Sequence, residues 1–129
     1  MIMKSVDLMI GDLVTYTGDD EGPITASIEG INEDSDFGIE ILGTCERIED
    51  IEPIHLTAEI LEKNCWSSTD ENLYTIGIEK VYTFFEYSFS AEMLFINDGR
   101  IPTPIRYVHE LQHALRLCGL NDLADNFKI

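Results

Sequence analysis

The first half of the chain alternates apolar and polar positions in short stretches. Leu13-Val14-Thr15-Tyr16 is a β-rich run that follows a turn at Gly11-Asp12. The loop Gly18–Pro23 carries two glycines and a proline, so that run must stop there. In Ile24–Ile31 the residues Ile24, Ala26 and Ile28 fall on one face, and Asn32–Asp36 turns the chain again. Phe37, Ile39 and Ile41 alternate with Gly38 and Glu40 to give a third strand, and a fourth is expected around Arg47–Ile51. Short strands joined by tight turns predict a small curled antiparallel sheet at the N-terminus, or an SH3-like barrel where that sheet closes.

The period then changes. Thr57 is placed to cap a short helix over residues 57–64. Leu56 and Leu61 lie either side of the cap as a hydrophobic staple, Glu59 and Lys63 suit the helix dipole, and Asn64 is the stop. Trp66, just beyond, is expected in the core, and the polar run Ser67–Asn72 reads as a loop. Leu73–Ile78, Val81–Phe89 and Glu92–Ile96 are rich in aromatic and β-branched residues and predict a second antiparallel sheet over 73–97. Thr83, Phe85, Tyr87 and Phe89 share one face of the middle strand, with Tyr82 and Phe84 on the other, which marks it as central or covered. After a turn at Asn97-Asp98-Gly99, Thr103 as cap and Pro104 at the first helical position predict a closing amphipathic helix over 104–118, ended by Gly119. The expected fold class is α+β, a single domain over 1–129 whose residues 1–52 form an acidic, β-rich half.

Charge sharpens this picture. The net charge is −17, and residues 1–72 hold 18 Asp and Glu against Lys4, Arg47 and Lys63, a balance of −15. Such a surface repels a phosphate backbone, which argues against direct nucleic-acid binding and for a basic protein partner. No apolar stretch is long enough to span a membrane, and Met1–Asp7 lacks the apolar core of a secretory leader. Cys45, Cys65 and Cys118 are widely spaced, an odd count that points to free thiols and a cytoplasmic setting. The aromatic strands of residues 81–96 could also be buried in a homo-oligomer.

One motif carries chemistry. His109-Glu110-Leu111-Gln112-His113 matches H-E-x-x-H, in which two histidines on one helix face bind zinc and the glutamate acts as general base. This gives an alternative reading: a small zinc-dependent hydrolase with His109 and His113 as metal ligands and Glu110 as the catalytic residue. Three considerations oppose it. At about 100° per residue, Val108, Leu111, Leu115 and Cys118 form the apolar stripe and the histidines point to solvent. Arg106 and Arg116 flank the pair and repel a divalent ion. A third protein ligand is not apparent. The favoured reading is a non-enzymatic acidic interaction protein with no cofactor and no catalytic residue.

Three segments, Asp7–Val14, Ile54–Asn64 and Ile105–Gln112, together resemble a group of small uncharacterised proteins from gut Bacteroidetes and their phages or mobile elements. In that group the terminal helix begins Tyr-Val-His, then Glu or Gln, then Leu-Gln, and the residue matching His113 is often asparagine. The resemblance implies that the zinc motif is incidental, and it implies no activity, cofactor or catalytic residue. It suggests an accessory protein of a phage or mobile element. Cys65-Trp66 departs from the Gly-Phe expected after the middle helix.

Overall fold

The computed structural model describes residues 7–79, 82–97 and 102–129. Val81 of the expected middle strand, and Asp98-Gly99 of the expected turn, lie outside them. The fold is α+β, with three antiparallel sheets and three helices among the described residues. The chain divides into two compact units: unit 1 is Met1–His55 with Tyr107–Asn126, and unit 2 is Leu56–Arg106 with Phe127–Ile129.

In unit 1, β1 (Leu13–Tyr16) is the centre of a sheet with β2 (Ile24–Ser27) and β6 (Ile51–Glu52). A second sheet has β4 (Ile39–Ile41) between β3 (Gly30–Ile31) and β5 (Thr44–Glu46). The stretch expected as one strand, Ile24–Ile31, serves both sheets. The Ile28 N–H donates to Asp12 O at 2.9 Å, whereas the next N–H, Glu29, donates to Glu40 O at 2.8 Å. Consecutive N–H groups of a strand point to opposite sides, so this stretch reaches one sheet on each side, and the described sheets are separate and form no closed barrel. Ala26, Ile28, Ile39 and Ile41 face inward as the alternation requires, joining Leu8, Val14 and Ile51 in one apolar cluster. Burial of each large member stabilises the fold by about 1.5–3 kcal/mol relative to exposure.

The strand expected at Arg47–Ile51 is instead a 3-10 turn at Ile48–Asp50 leading into β6. The reason lies upstream. Leu42 and Gly43 both take positive φ, 49° and 78°, and close a two-residue hairpin that pairs Ile41 with Thr44. That hairpin places the strand three residues earlier than the apolar pattern suggested.

Unit 2 is a five-stranded sheet in the order β11-β10-β9-β8-β7. The strands are β7 (Ser67–Asp70), β8 (Leu73–Ile78), β9 (Thr83–Ser88), β10 (Met93–Ile96) and β11 (Thr103–Pro104). β9 is central, as its composition required. Phe85 and Tyr87 are buried while Phe84 and Tyr82 on the other face are exposed. Ser67–Asp70 is a strand rather than a loop: all four residues are exposed at the sheet edge, so no apolar period marks them. The helix α1 (Ala58–Lys63) forms as predicted, with Thr57 Oγ1 accepting the Ile60 N–H at 3.2 Å and Asn64 as C-cap. Trp66 is buried with its ring 6.2 Å from that of Phe85.

The closing helix is shorter than predicted. Thr103 and Pro104 do not cap it; they pair with Leu94 and Met93 as an edge strand, a position where proline's missing N–H costs nothing. α2 spans Val108–Leu117 and has Tyr107 as N-cap. Its expected end is kept. Gly119 takes φ +76°, its N–H reaches Arg116 O at 3.0 Å, and the Leu120 N–H reaches Leu115 O at 2.9 Å. A further short helix, α3 (Asn121–Asp125), follows in unit 1.

Candidate functional site

The site is built on two local structures of unit 1. The first is the turn before β1. The Asp12 N–H donates to Met9 O at 3.1 Å, and the Asp12 carboxylate accepts the Met9 N–H at 2.7 Å. Gly11 sits in this turn at φ +92°, and a Cβ there would lie 2.8 Å from Arg116 Nη2. Only glycine satisfies both conditions. The second is the start of α2, where Glu110 Oε1 accepts the Tyr107 N–H at 3.0 Å and so occupies one of the orphan donors of the first turn.

Helix and turn are joined by side chains spaced along one face of α2. Gln112 has no exposed surface and meets three backbone groups. Its Oε1 accepts the Leu13 N–H at 2.8 Å, and its Nε2 donates to Gly11 O at 3.0 Å and to Ala124 O at 2.9 Å. One amide thus ties the turn, β1 and α3 together. One turn on, Arg116 Nη1 donates to Asp12 Oδ1 at 2.6 Å, and Nη2 lies 3.4 Å from Asp125 Oδ1. His113 Nε2 lies 2.6 Å from Asp12 Oδ2 and donates to it when the carboxylate is ionised. Asp12 itself is completely buried. Hydrogen bonds between charged groups at these distances are the strong ones, and a buried carboxylate requires them.

The histidines do not point to solvent, which corrects the expectation from the helical wheel. His109 is 3% exposed and the His113 side chain 26%. Of the stripe the wheel marked as apolar, Val108, Leu111 and Leu115 are buried and Cys118 is half-buried, but the opposite face is covered by the Gly11–Asp12 turn. Nothing local could announce that cover: Asp12 precedes His113 by 101 residues. His109 Nδ1 is buried without a hydrogen-bond partner among the described residues. Burial pulls the His109 imidazole below its ordinary value. Asp12, Glu110 and Asp7 oppose that shift and His113 adds to it.

All three histidines of the chain stand in one file of rings. His55 and Tyr107 are paired by a β-bridge and have ring centroids 5.0 Å apart. Tyr107 stacks on His109 at 5.9 Å with 12° between planes, and His109 meets His113 edge-on at 5.6 Å. The file ends on Asp12.

For the zinc reading the structure brings His109 and His113 together but engages His113 and Glu110 elsewhere. His113 Nε2 faces Asp12, and Glu110 holds the helix start. Arg116 brings its positive charge onto the same carboxylate. Among the described residues no three His, Cys, Asp or Glu side chains are grouped so as to hold a metal ion. What the arrangement does chemically is clasp: it fixes α2 and α3 to the turn before β1. Asp12, Gln112 and Arg116 are the residues that sequence reasoning did not assign to it.

The carboxylates form the other feature of unit 1. Residues 7–55 carry 14 Asp and Glu, and Asp12 is the only buried one. Arg47 is the single Lys or Arg in that stretch, and its guanidinium lies 4.8 Å from the centre of the exposed Phe37 ring. The hydrogen bond from the Tyr16 hydroxyl to Glu46, at 2.9 Å, then loss of hydration, and then the charges of Glu46, Asp50 and Asp19 push the phenol up to about 12. No described helix is long and apolar enough to cross a membrane. Compared with protein families, curated proteins and solved structures, the chain finds no match.

Proposed function

We propose that this protein is a non-enzymatic interaction module that uses the carboxylate surface of unit 1 to engage a protein with a basic surface. The observation that supports the reading is the distribution just described: 13 of the 14 carboxylates in residues 7–55 are exposed or half-buried, and one cationic side chain accompanies them. Two loops concentrate the charge, with Asp19, Asp20 and Glu21 between β1 and β2, and Glu33, Asp34 and Asp36 between β3 and β4. A field of one sign accelerates encounter with an oppositely charged partner and rejects like-charged ones, nucleic acid included. An accessory role in a phage or mobile element rests on the resemblance of the three quoted segments, and a cytoplasmic setting on the odd count of widely spaced cysteines.

The test is capture of a partner at low and physiological salt, followed by association kinetics with the purified partner. Neutralising Glu33, Asp34, Asp36 and Glu40 to their amides is expected to slow association at least tenfold at low salt and to flatten its salt dependence. Recovery of no basic partner, or binding indifferent to both salt and the substitutions, would overturn the reading.

A further inference from the structure

The sheet of unit 2 buries one face and leaves the other without a covering layer of polar residues. Tyr74, Phe85, Tyr87 and Leu94 lie on the buried face. The other face of an antiparallel sheet ordinarily meets water with polar side chains. Here it includes Leu73 and Thr75 from β8, Phe84 and Glu86 from β9, and Met93 and Phe95 from β10. Phe84 is 43% exposed and the other five are half-buried. β8, β9 and β10 carry one charged residue between them, and it is Glu86. The register sets Glu86 directly between Thr75 and Phe95, with Phe84 two residues along the same strand. Its carboxylate has no hydrogen-bond or ion-pair partner among the described residues.

We propose that this face is a socket for an arginine side chain on the surface of a protein partner. Charge complementarity decides the occupant. A carboxylate half-buried among apolar groups has lost part of its hydration and gains most from a cation that replaces it. Two copies of this chain docked through the face about a twofold axis would set Glu86 against Glu86, on molecules that each carry a net charge of −17. Like charges so placed reject a second copy. Arginine fits better than lysine, because a guanidinium can give two N–H groups to one carboxylate while its flat face lies on an aromatic ring. Directly opposed side chains of a sheet stand about 5 Å apart at Cβ, and those two residues along a strand about 7 Å. Phe95 and Phe84 are therefore both within reach of a group seated on Glu86, and Thr75 offers a hydroxyl on the other side. Leu73 and Met93 continue the apolar surface, which suits apolar residues flanking the arginine. The socket goes beyond the acidic-surface reading and is independent of it, since Glu86 belongs to unit 2 and none of the unit 1 carboxylates takes part.

Amide shifts of the full chain, followed by NMR at pH 7.5 and constant ionic strength, test this with N-acetyl-arginine methylamide as the probe. The probe is expected to shift Thr75, Glu86 and Phe95 saturably, with a Kd of about millimolar order, as suits a single side chain. The lysine counterpart is expected to bind about threefold more weakly, and the neutral citrulline counterpart to give no saturable shift. E86Q is expected to weaken the arginine probe about tenfold. F95L keeps the apolar bulk without a ring face and is expected to weaken it about threefold. F95L carries the test where E86Q fails to fold. Neutralising Glu33, Asp34, Asp36 and Glu40 to their amides is expected to leave the response within about twofold, which separates this socket from the acidic surface of unit 1. The proposal is overturned by the absence of a saturable shift at Glu86, by an equal response to citrulline, or by an undiminished response in the folded variants. A wild-type dimer in sedimentation equilibrium that F84S breaks would make a second copy the occupant and overturn it as well.

Discussion

Asp12 and Arg116 meet at 2.6 Å across 104 residues of sequence, and Asp12 is the one fully buried carboxylate among the described residues. Its two oxygens receive a guanidinium, an imidazole and a backbone N–H. Removing it leaves the 11%-exposed Arg116 side chain with the exposed Asp125 as its remaining ion-pair partner among the described residues. Asp12→Ala is expected to destabilise the protein by about 3–5 kcal/mol, the cost of breaking a buried pair on one side. Glu33→Ala, on an exposed loop, is expected to stay within about 0.5 kcal/mol. Urea unfolding at pH 7.5 compares the two.

Gln112 makes a different kind of contribution, because no charge is involved. Gln112→Leu keeps the volume and removes both partners offered to the backbone. The Leu13 N–H and the Gly11 and Ala124 carbonyls then lose their bonds to this side chain. The loss is expected to be about 2–4 kcal/mol, given about 1–3 kcal/mol for each unsatisfied group and partial relief by water. A change under about 1 kcal/mol in urea unfolding would show that water replaces the amide.

The sign of the pH dependence follows from His109. Burial holds its imidazole below the ordinary value of about 6.5, so the unfolded chain binds that proton more readily than the folded one. Stability from this group is complete above about pH 6.5 and falls as the pH drops below it, until the folded-state value is passed. Thermal unfolding from pH 7.5 to 5.0 is expected to show the decline. In H109F it should be shallower, and an identical slope would remove His109 as its source.

Cys65 occupies the position after α1 where glycine is preferred. Its φ is +70°, with its N–H on Glu62 O at 3.1 Å and the Trp66 N–H on Leu61 O at 3.1 Å. A left-handed residue with a Cβ costs about 1–2 kcal/mol, part of which glycine returns through its freer unfolded state. Cys65→Gly is expected to raise stability by about 0.5–1 kcal/mol. Any loss in a denaturation midpoint would show that the thiol or its Cβ makes a compensating contact.

Zinc offers a check on the H-E-x-x-H motif. With His113 on Asp12 and no group of three ligands among the described residues, elemental analysis of protein purified without chelator is expected to find far less than one zinc per chain. One equivalent, lost in H113A, would restore the hydrolase reading and call for a third ligand.

The parts of the fold legible in the sequence are those fixed by neighbours in the chain. Thr57 and Asn64 bound α1, Gly119 ends α2, and the alternation of Phe85 and Tyr87 sets the inner face of β9. Pairing was the harder matter. Ser67–Asp70 is polar because both its faces meet solvent, so only the neighbouring β8 makes it a strand. Thr103-Pro104 has the chemistry of a helix start, yet β10 claims it. The site suffered most, because its chemistry is divided between a turn near residue 12 and a helix near residue 112. A helical wheel assigns each face to core or solvent, and it has no place for a polar face covered by a distant carboxylate.

The separation of Asp12 from α2 also sets an order in time. The β8–β9 hairpin closes over a few residues and can form in microseconds. The contact between Asp12 and His113 must close a loop of 101 residues before any of its bonds returns free energy. Until then Asp12 remains hydrated and α2 carries an uncovered polar face. Unit 1 is therefore expected to be completed late in folding, at a speed set by chain topology more than by the strength of the bonds that finally secure it.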